Sequence, residues 1–207
     1  MSNITFIGLG GMASALATRA VAGGNTVELI GRDTSKATDL AATLGGGATV
    51  GAFGAIPAGD IVVLAVPYTS GVQVVTQYGD ALAGKVIIDI SNTFNDQATG
   101  LLTPVGTSGA QQIAEAAPAS AHVVKAFNTV FGHVLAQGGS MDVLFAGDDA
   151  QAKTSVAAFI ESLGLRPLDV GDLEMAHWLE GMGAVMMGLA SHGVGHFNLS
   201  LGVDTSH

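Results

Sequence analysis

The sequence predicts an α/β fold, a doubly wound and mainly parallel sheet closed by a small helical C-terminal segment. Three observations carry this. Short β-rich runs alternate with alanine-rich stretches over about the first 170 residues, which is the pattern of strand–helix–strand units. Residues 61–66 are apolar without interruption, and 86–90 nearly so, as expected of strands covered on both faces. A glycine string occupies the junction between the first such run and the first alanine-rich stretch.

Residues 4–7 form the first expected strand. After the glycines a helix runs from about Met12 to Ala22, and Gly23-Gly24 stops it, as a helix C-terminus prefers. Residues 26–30 are a second strand. Thr34-Ser35 opens a helix that ends at glycines 45–47. Further strands are expected at 61–66, 86–90, 122–126 and 143–146. Residues 149–163 have helix character, with Asp148 as the expected cap, and 165–170 close the series. From about Leu173 the chain turns Met- and Gly-rich. The expected division is a sheet domain over 1–171 and a helical segment over 172–207, forming a substrate pocket or dimer interface.

Composition removes several function classes. The chain has 207 residues and no cysteine, which excludes disulfides, a thiolate nucleophile and cysteine-ligated metal. Hydrophobic residues are 48% and charged residues 12%, a balance that argues against disorder. The net charge is −10, and residues 101–207 carry ten acids against three bases. No basic face for nucleic acid or for an anionic membrane is expected. The N-terminus lacks the basic region of a signal peptide, so a cytoplasmic location is expected. Residues 181–203 contain no Asp, Glu, Lys or Arg. Their six glycines, two histidines, Asn198 and two serines suit a buried or interfacial segment better than a membrane span.

Gly8-Leu9-Gly10-Gly11-Met12-Ala13 is a G-x-G-x-x-A string placed after a strand and at the start of a helix, the context in which it signals a Rossmann-type dinucleotide site. Gly8 permits the tight turn, Gly10 lets backbone approach a pyrophosphate, and Ala13 lets the helix pack near the strand. The helix N-terminus offers unpaired N–H groups to the phosphates. The second strand ends in Gly31-Arg32-Asp33-Thr34-Ser35-Lys36. Arg32 suits a 2′-phosphate through its planar fork, with Lys36 as a second charge, which favours NADP(H). Asp33 either accepts from an NAD ribose or caps the following helix.

These motifs resemble those of the coenzyme F-420-dependent NADP oxidoreductases, F-420 being a deazaflavin. They are also similar to the NADPH domain of the six-transmembrane metalloreductases. The resemblance rests on residues 8–13, Gly31-Arg32, Ala65-Val66-Pro67, Asp89-Ile90-Ser91-Asn92, residues 124–128, Gly147-Asp148-Asp149 and residues 164–169. It implies a sheet domain binding NADPH, with Val66 and Pro67 beside the pyrophosphate and nicotinamide. It further implies that Asn92 meets the nicotinamide ribose or carboxamide, and that Ala126, Phe127 and Asn128 border the nicotinamide. Family members often have Thr or Ser where this chain has Leu9, and Ser where it has Gly31, which leaves more of the phosphate contact to backbone N–H groups.

The resemblance implies hydride transfer between NADP(H) and a flavin- or deazaflavin-type, F-420-like small molecule. That reaction needs orientation and water exclusion more than a protein nucleophile. Asn128 and His133 are the candidate catalytic side chains. Two other readings stand beside this one. One is a non-catalytic NADP-binding sensor or interaction module. The other is a reductase of small carbonyl compounds with Lys125 or His133 as acid. His192 and His196 form an H-x-x-x-H pair, but two ligands fall short of a zinc site, so no metal is expected. His177, Trp178, Met182, Met186 and Met187 suit a core or a homodimer interface.

Overall fold

The structure is a computed structural model and describes residues 1–204. Eight strands form one sheet in the order β3-β2-β1-β4-β5-β6-β7-β8. They are β1 Asn3–Ile7, β2 Thr26–Ile30, β3 Thr49–Val50, β4 Ile61–Leu64, β5 Val86–Asp89, β6 His122–Ala126, β7 Asp142–Gly147 and β8 Arg166–Asp169. All neighbours pair in parallel except β6 and β7, which are antiparallel. The helices are α1 Gly11–Ala22, α2 Thr34–Leu44, α3 Tyr68–Tyr78, α4 Gly109–Ala116, α5 Gly132–Ala136, α6 Ala150–Ser162 and α7 Ala176–Gly188. The chain is a Rossmann-like α/β fold with a C-terminal helical segment.

The burial pattern explains the sheet. Every residue of β4 and of β7 is buried, because helices cover both faces of a parallel sheet. One apolar cluster packs Phe6, Leu29, Val63 and Val143 against the alanine-rich face of α1 and against α6. The other packs Ile7, Val62, Leu64 and Ile87 against Val75 of α3 and Ile113 of α4. In α1 the buried positions are Ala13, Ala15, Leu16, Ala17 and Ala20, and their small side chains let the helix lie close on the strands.

Several local expectations change. The run 61–66 stops as a strand at Leu64, since Pro67 precedes the first turn of α3. The cap of α6 is Asp149, whose side chain accepts from Ala152 N at 2.7 Å. Asp148 instead accepts from Leu173 N at 2.8 Å and so ties down the start of the C-terminal segment. That segment runs through a 3-10 turn, α7 and a π-type turn over Leu189–Val194. It packs Leu179 and Met182 on Leu144 and Ala146 of β7.

Candidate functional site

The strand order reverses between β1 and β4, and ligands of open α/β sheets bind in the crevice at such a switch point. Here the crevice is a cleft of about 420 Å³ between the glycine turn, the end of β2 and the start of α3. Gly8 adopts φ +111°, and a Cβ there would sit 2.1 Å from the Ala65 carbonyl oxygen. Only glycine fits that close approach of two strand ends. Gly10 and Gly11 face open space, so backbone can be reached by a ligand. α1 begins without a side-chain cap, and its first bond runs from Ser14 N to Gly10 O at 3.0 Å. The amides ahead of that bond point out of the helix end with the positive end of its dipole. Met12 packs against Gly132 and Ala13 lies in the core; both sit behind the turn.

Leu9, Gly31, Arg32, Asp33, Lys36, Val66 and Pro67 line the same cleft. Thr34 and Ser35 form the first turn of α2 just behind it. Asp33 Oδ1 accepts from Lys36 N at 3.2 Å, so the carboxylate caps α2, as one of its two sequence readings has it. Arg32 and Lys36 are exposed at the rim. A Cβ on Gly31 would lie 2.4 Å from Leu9 Cδ1. The two departures from the family pattern are therefore coupled in space: the Leu9 side chain occupies the room that a residue at 31 would need.

Sequence reasoning missed one wall. Ser70, Gln73, Val74 and Gln77 line the cleft from α3, and Phe53 completes it, its ring edge-on to Tyr78 at 5.5 Å. The spacing 70, 73, 74, 77 is one helical face and was legible once α3 is recognised. Tyr78 sits behind this wall, where burial pushes its phenol up from the usual value.

Val66 and Pro67 are shared with a second cavity of about 300 Å³, lined also by Ser91, Asn92, Phe94, Asp96 and Leu102. The two cavities thus meet at one wall. Asn128 Nδ2 donates to Asn92 Oδ1 at 3.0 Å and to Leu179 O at 2.7 Å, while Asn92 Nδ2 donates to Asn128 O at 2.9 Å. The pair joins the sheet to α7. Asn128 Oδ1 and Ser91 Oγ are buried and have no hydrogen-bond partner among the described residues; Ser91 lines the second cavity, whereas the candidate Asn128 lines neither cavity and reaches it only through its bond to Asn92. Phe127, with φ +62°, turns the chain between β6 and Asn128. Its ring packs on Phe159 at 6.2 Å. A bulky residue there is a strained outlier.

Other candidates fall elsewhere. The Ala126 side chain is fully enclosed in the core, so it cannot border a nicotinamide. His133 is exposed on α5 and its ring lies 5.8 Å from that of Phe131; it lines neither of these two cavities. Lys125 is fully buried, with Nζ bonded to Asp89 Oδ2 at 2.7 Å, Ser91 O at 2.7 Å and Glu180 Oε1 at 2.8 Å. All three ammonium donors are used, so Lys125 cannot hand a proton to a substrate. His192 lies in the π-type turn and His196 beyond the left-handed Gly195, which removes the shared helical face. Among the described residues no group of three potential ligands is placed to hold a metal. Trp178 is exposed, with His177 against it, while Met186 is buried. Among the described residues no helix is long and apolar enough to cross a membrane.

Residues 3–93 match the family described as NADP oxidoreductase, coenzyme F420-dependent. The F420-dependent NADP reductase of Methanocaldococcus jannaschii is 30% identical over 139 residues, covering 63% of this chain and 62% of that protein. Metalloreductase STEAP3 of Rattus norvegicus is 29% identical over 180 residues, covering 86% of this chain and 35% of the relative. The chain thus spans less than two thirds of either relative. A crystal structure from Arthrobacter sp. FB24, provisionally described as an F420-dependent NADP reductase, superposes with a TM-score of 0.85. It is 26% identical, covering 99% of this chain and 100% of that one. By the match over residues 3–93 and by these relatives, the chain is similar to the coenzyme F420-dependent NADP oxidoreductases.

Proposed function

We propose that the chain is an NADP-dependent oxidoreductase that moves hydride between NADP(H) and a flavin- or deazaflavin-type acceptor. The observation that carries this reading is the single cleft holding the Gly8–Gly10 turn, the free end of α1 and the Arg32–Lys36 rim. The amides of the α1 end fit a pyrophosphate, and Arg32 with Lys36 fits a 2′-phosphate. Asn92, hydrogen-bonded to Asn128, and the shared wall of Val66 and Pro67 fit the nicotinamide half. When bound, the nicotinamide supplies the hydride chemistry. The chain's own work is to fix both ends of the dinucleotide and to exclude water between ring and acceptor. No titratable side chain of the chain has to move a proton in such a transfer.

The acceptor side carries Asp96 and no cation. Lys153 pairs with Asp169, Arg166 with Asp142, and Arg19 with the carbonyls of Leu135, Gly139 and Leu163. An uncharged ring such as riboflavin therefore suits the chain better than an acceptor with an acidic tail. The same reading includes a cytoplasmic homodimer joined through the C-terminal face, where Trp178, Val185 and Leu189 are exposed at helical spacing.

NADPH oxidation with riboflavin, FMN, a deazaflavin and a carbonyl panel tests the proposal, alongside the Kd for NADPH. Turnover with a flavin-type ring supports it. Tight NADPH binding with no turnover on any acceptor would establish the sensor reading instead. The observation that favours that second reading is that neither acid the sequence offered is available at the cleft, Lys125 being locked and His133 lying outside it.

A further inference from the structure

We propose that the buried Lys125–Asp89–Glu180 cluster is the positioning element of the nicotinamide end, fixing the Asn92–Asn128 pair against the cleft. This rests on the oxidoreductase reading above, because it assigns that pair to the nicotinamide half.

The cluster is built without an unmet group. Lys125 sits on β6 and donates to Asp89 at the end of β5, to Ser91 O, and to Glu180 on α7. Asp89 Oδ1 accepts from Ser91 N at 2.9 Å. Glu180 Oε2 accepts from Thr93 Oγ1 at 2.7 Å and from Gly109 N at 3.1 Å, and Oε1 accepts from Ala110 N at 3.4 Å. The last two donors are the first amides of α4, so the helix dipole supports the carboxylate that the lysine only partly neutralises. Lys125, Asp89 and Glu180 have no exposed side-chain surface.

Such a cluster is a poor device for stability alone. Desolvating three charges offsets much of their attraction, and apolar residues of similar volume often serve as well. What it does supply is directional bonding, and the bonds bracket the amide pair. Ser91 and Thr93 flank Asn92 and are both held by the cluster. Leu179, whose carbonyl accepts from Asn128, is the neighbour of Glu180. Gly183 completes the seat, since a Cβ there would lie 2.3 Å from Asn92 Oδ1. Sheet, β5 loop, α4 and α7 are thereby locked around two amides. One of these carries a buried oxygen, Asn128 Oδ1, that no donor among the described residues satisfies.

The test separates positioning from general stability by comparing two probes. Adenosine 2′,5′-bisphosphate reports the Arg32 end alone, and NADPH reports both ends. In Glu180→Gln, which keeps shape and removes one charge, the Kd for the bisphosphate should stay within about twofold of wild type. The affinity advantage of NADPH over the bisphosphate should fall about tenfold. The rise in nicotinamide fluorescence on binding should fall with it, and kcat should drop more than the KM for NADPH changes. Thr93→Val removes only the hydroxyl donor and serves as the second variant should Glu180→Gln fail to fold; a smaller loss in the same direction is expected. A folded variant with an unchanged NADPH advantage and unchanged fluorescence would overturn the proposal. So would an equal loss of both probes. Wild-type protein that binds neither probe would instead overturn the oxidoreductase reading.

Discussion

The two ends of the cleft hold charge in opposite ways. At the β2 end, Arg32 and Lys36 are exposed at the cleft rim, and among the described residues their side chains form no ion pair with a carboxylate. At the β5–β6 end, Lys125 is sealed from solvent and bonded to two carboxylates and a carbonyl. The difference teaches what each end can do. Exposed cations recognise an anionic group and are weakened by salt. A sealed and saturated cation recognises nothing, but it fixes its neighbours. On the proposed reading, specificity belongs to the first end and geometry to the second.

The largest expected effect breaks the sealed end outright. Lys125→Met leaves two buried carboxylates uncompensated, which destabilises by about 3–5 kcal/mol. A thermal melt should show a fall in Tm of many degrees; a melt like wild type would mean the cluster is not sealed. Next comes the open end. Arg32→Ala removes a charge-assisted contact of ~1.5–3 kcal/mol, about a ten- to hundredfold loss of NADPH affinity. NADH binding should hardly change, and added salt should weaken wild-type NADPH binding more than NADH binding. Equal effects on both nucleotides would remove Arg32 from recognition of the 2′-phosphate.

A smaller effect sharpens the Leu9–Gly31 contact between these ends. Gly31→Ser should disturb the glycine turn by pressing on Leu9, and Leu9→Thr should relieve that pressure. The double variant should bind NADPH better than the sum of the single changes, by a coupling of roughly 0.5–3 kcal/mol. Strict additivity in a double-mutant cycle would show that the two positions are independent. The smallest effect concerns a pair that lines neither cavity. The hydrogen-bonded Arg166 guanidinium holds the Asp142 carboxyl below the usual carboxylate range, and Val203 N adds a second donor. The folded-state value lies below the unfolded one. This contribution is thus complete above the unfolded carboxylate range and is lost as pH falls through the folded value. Asp142→Asn should flatten that part of the acid melt and leave stability near neutrality slightly lower, as pH-dependent melts can check.

Legibility followed the range of the interactions. The glycine turn, β1, β2 and β6 were readable because local conformation and apolar patterning decide them. The Arg32–Lys36 rim was readable because it lies one strand from the turn. α3 to α5 went unread, since their apolar faces are short and mixed with polar residues that line the cleft. The cap of α6 moved from Asp148 to Asp149 because Asp148 is claimed by Leu173 N, 25 residues away in sequence. Lys125 looked available as an acid for the same reason. Its partners lie 36 and 55 residues away, and no periodicity reports them.

By itself the sequence determined the α/β class, the position of the glycine turn and the charge at its rim. Each of these follows from backbone freedom, hydrophobic period or residue chemistry within a few tens of residues. Only the tertiary structure decided that Leu9 excludes a side chain at Gly31, that Ala126 is sealed, that His133 stands apart and that Lys125 is bound to Glu180 of α7. Those outcomes depend on which strands and helices become neighbours. Neighbourhood is settled by packing the whole sheet between its helices, and no local stretch of the chain contains it.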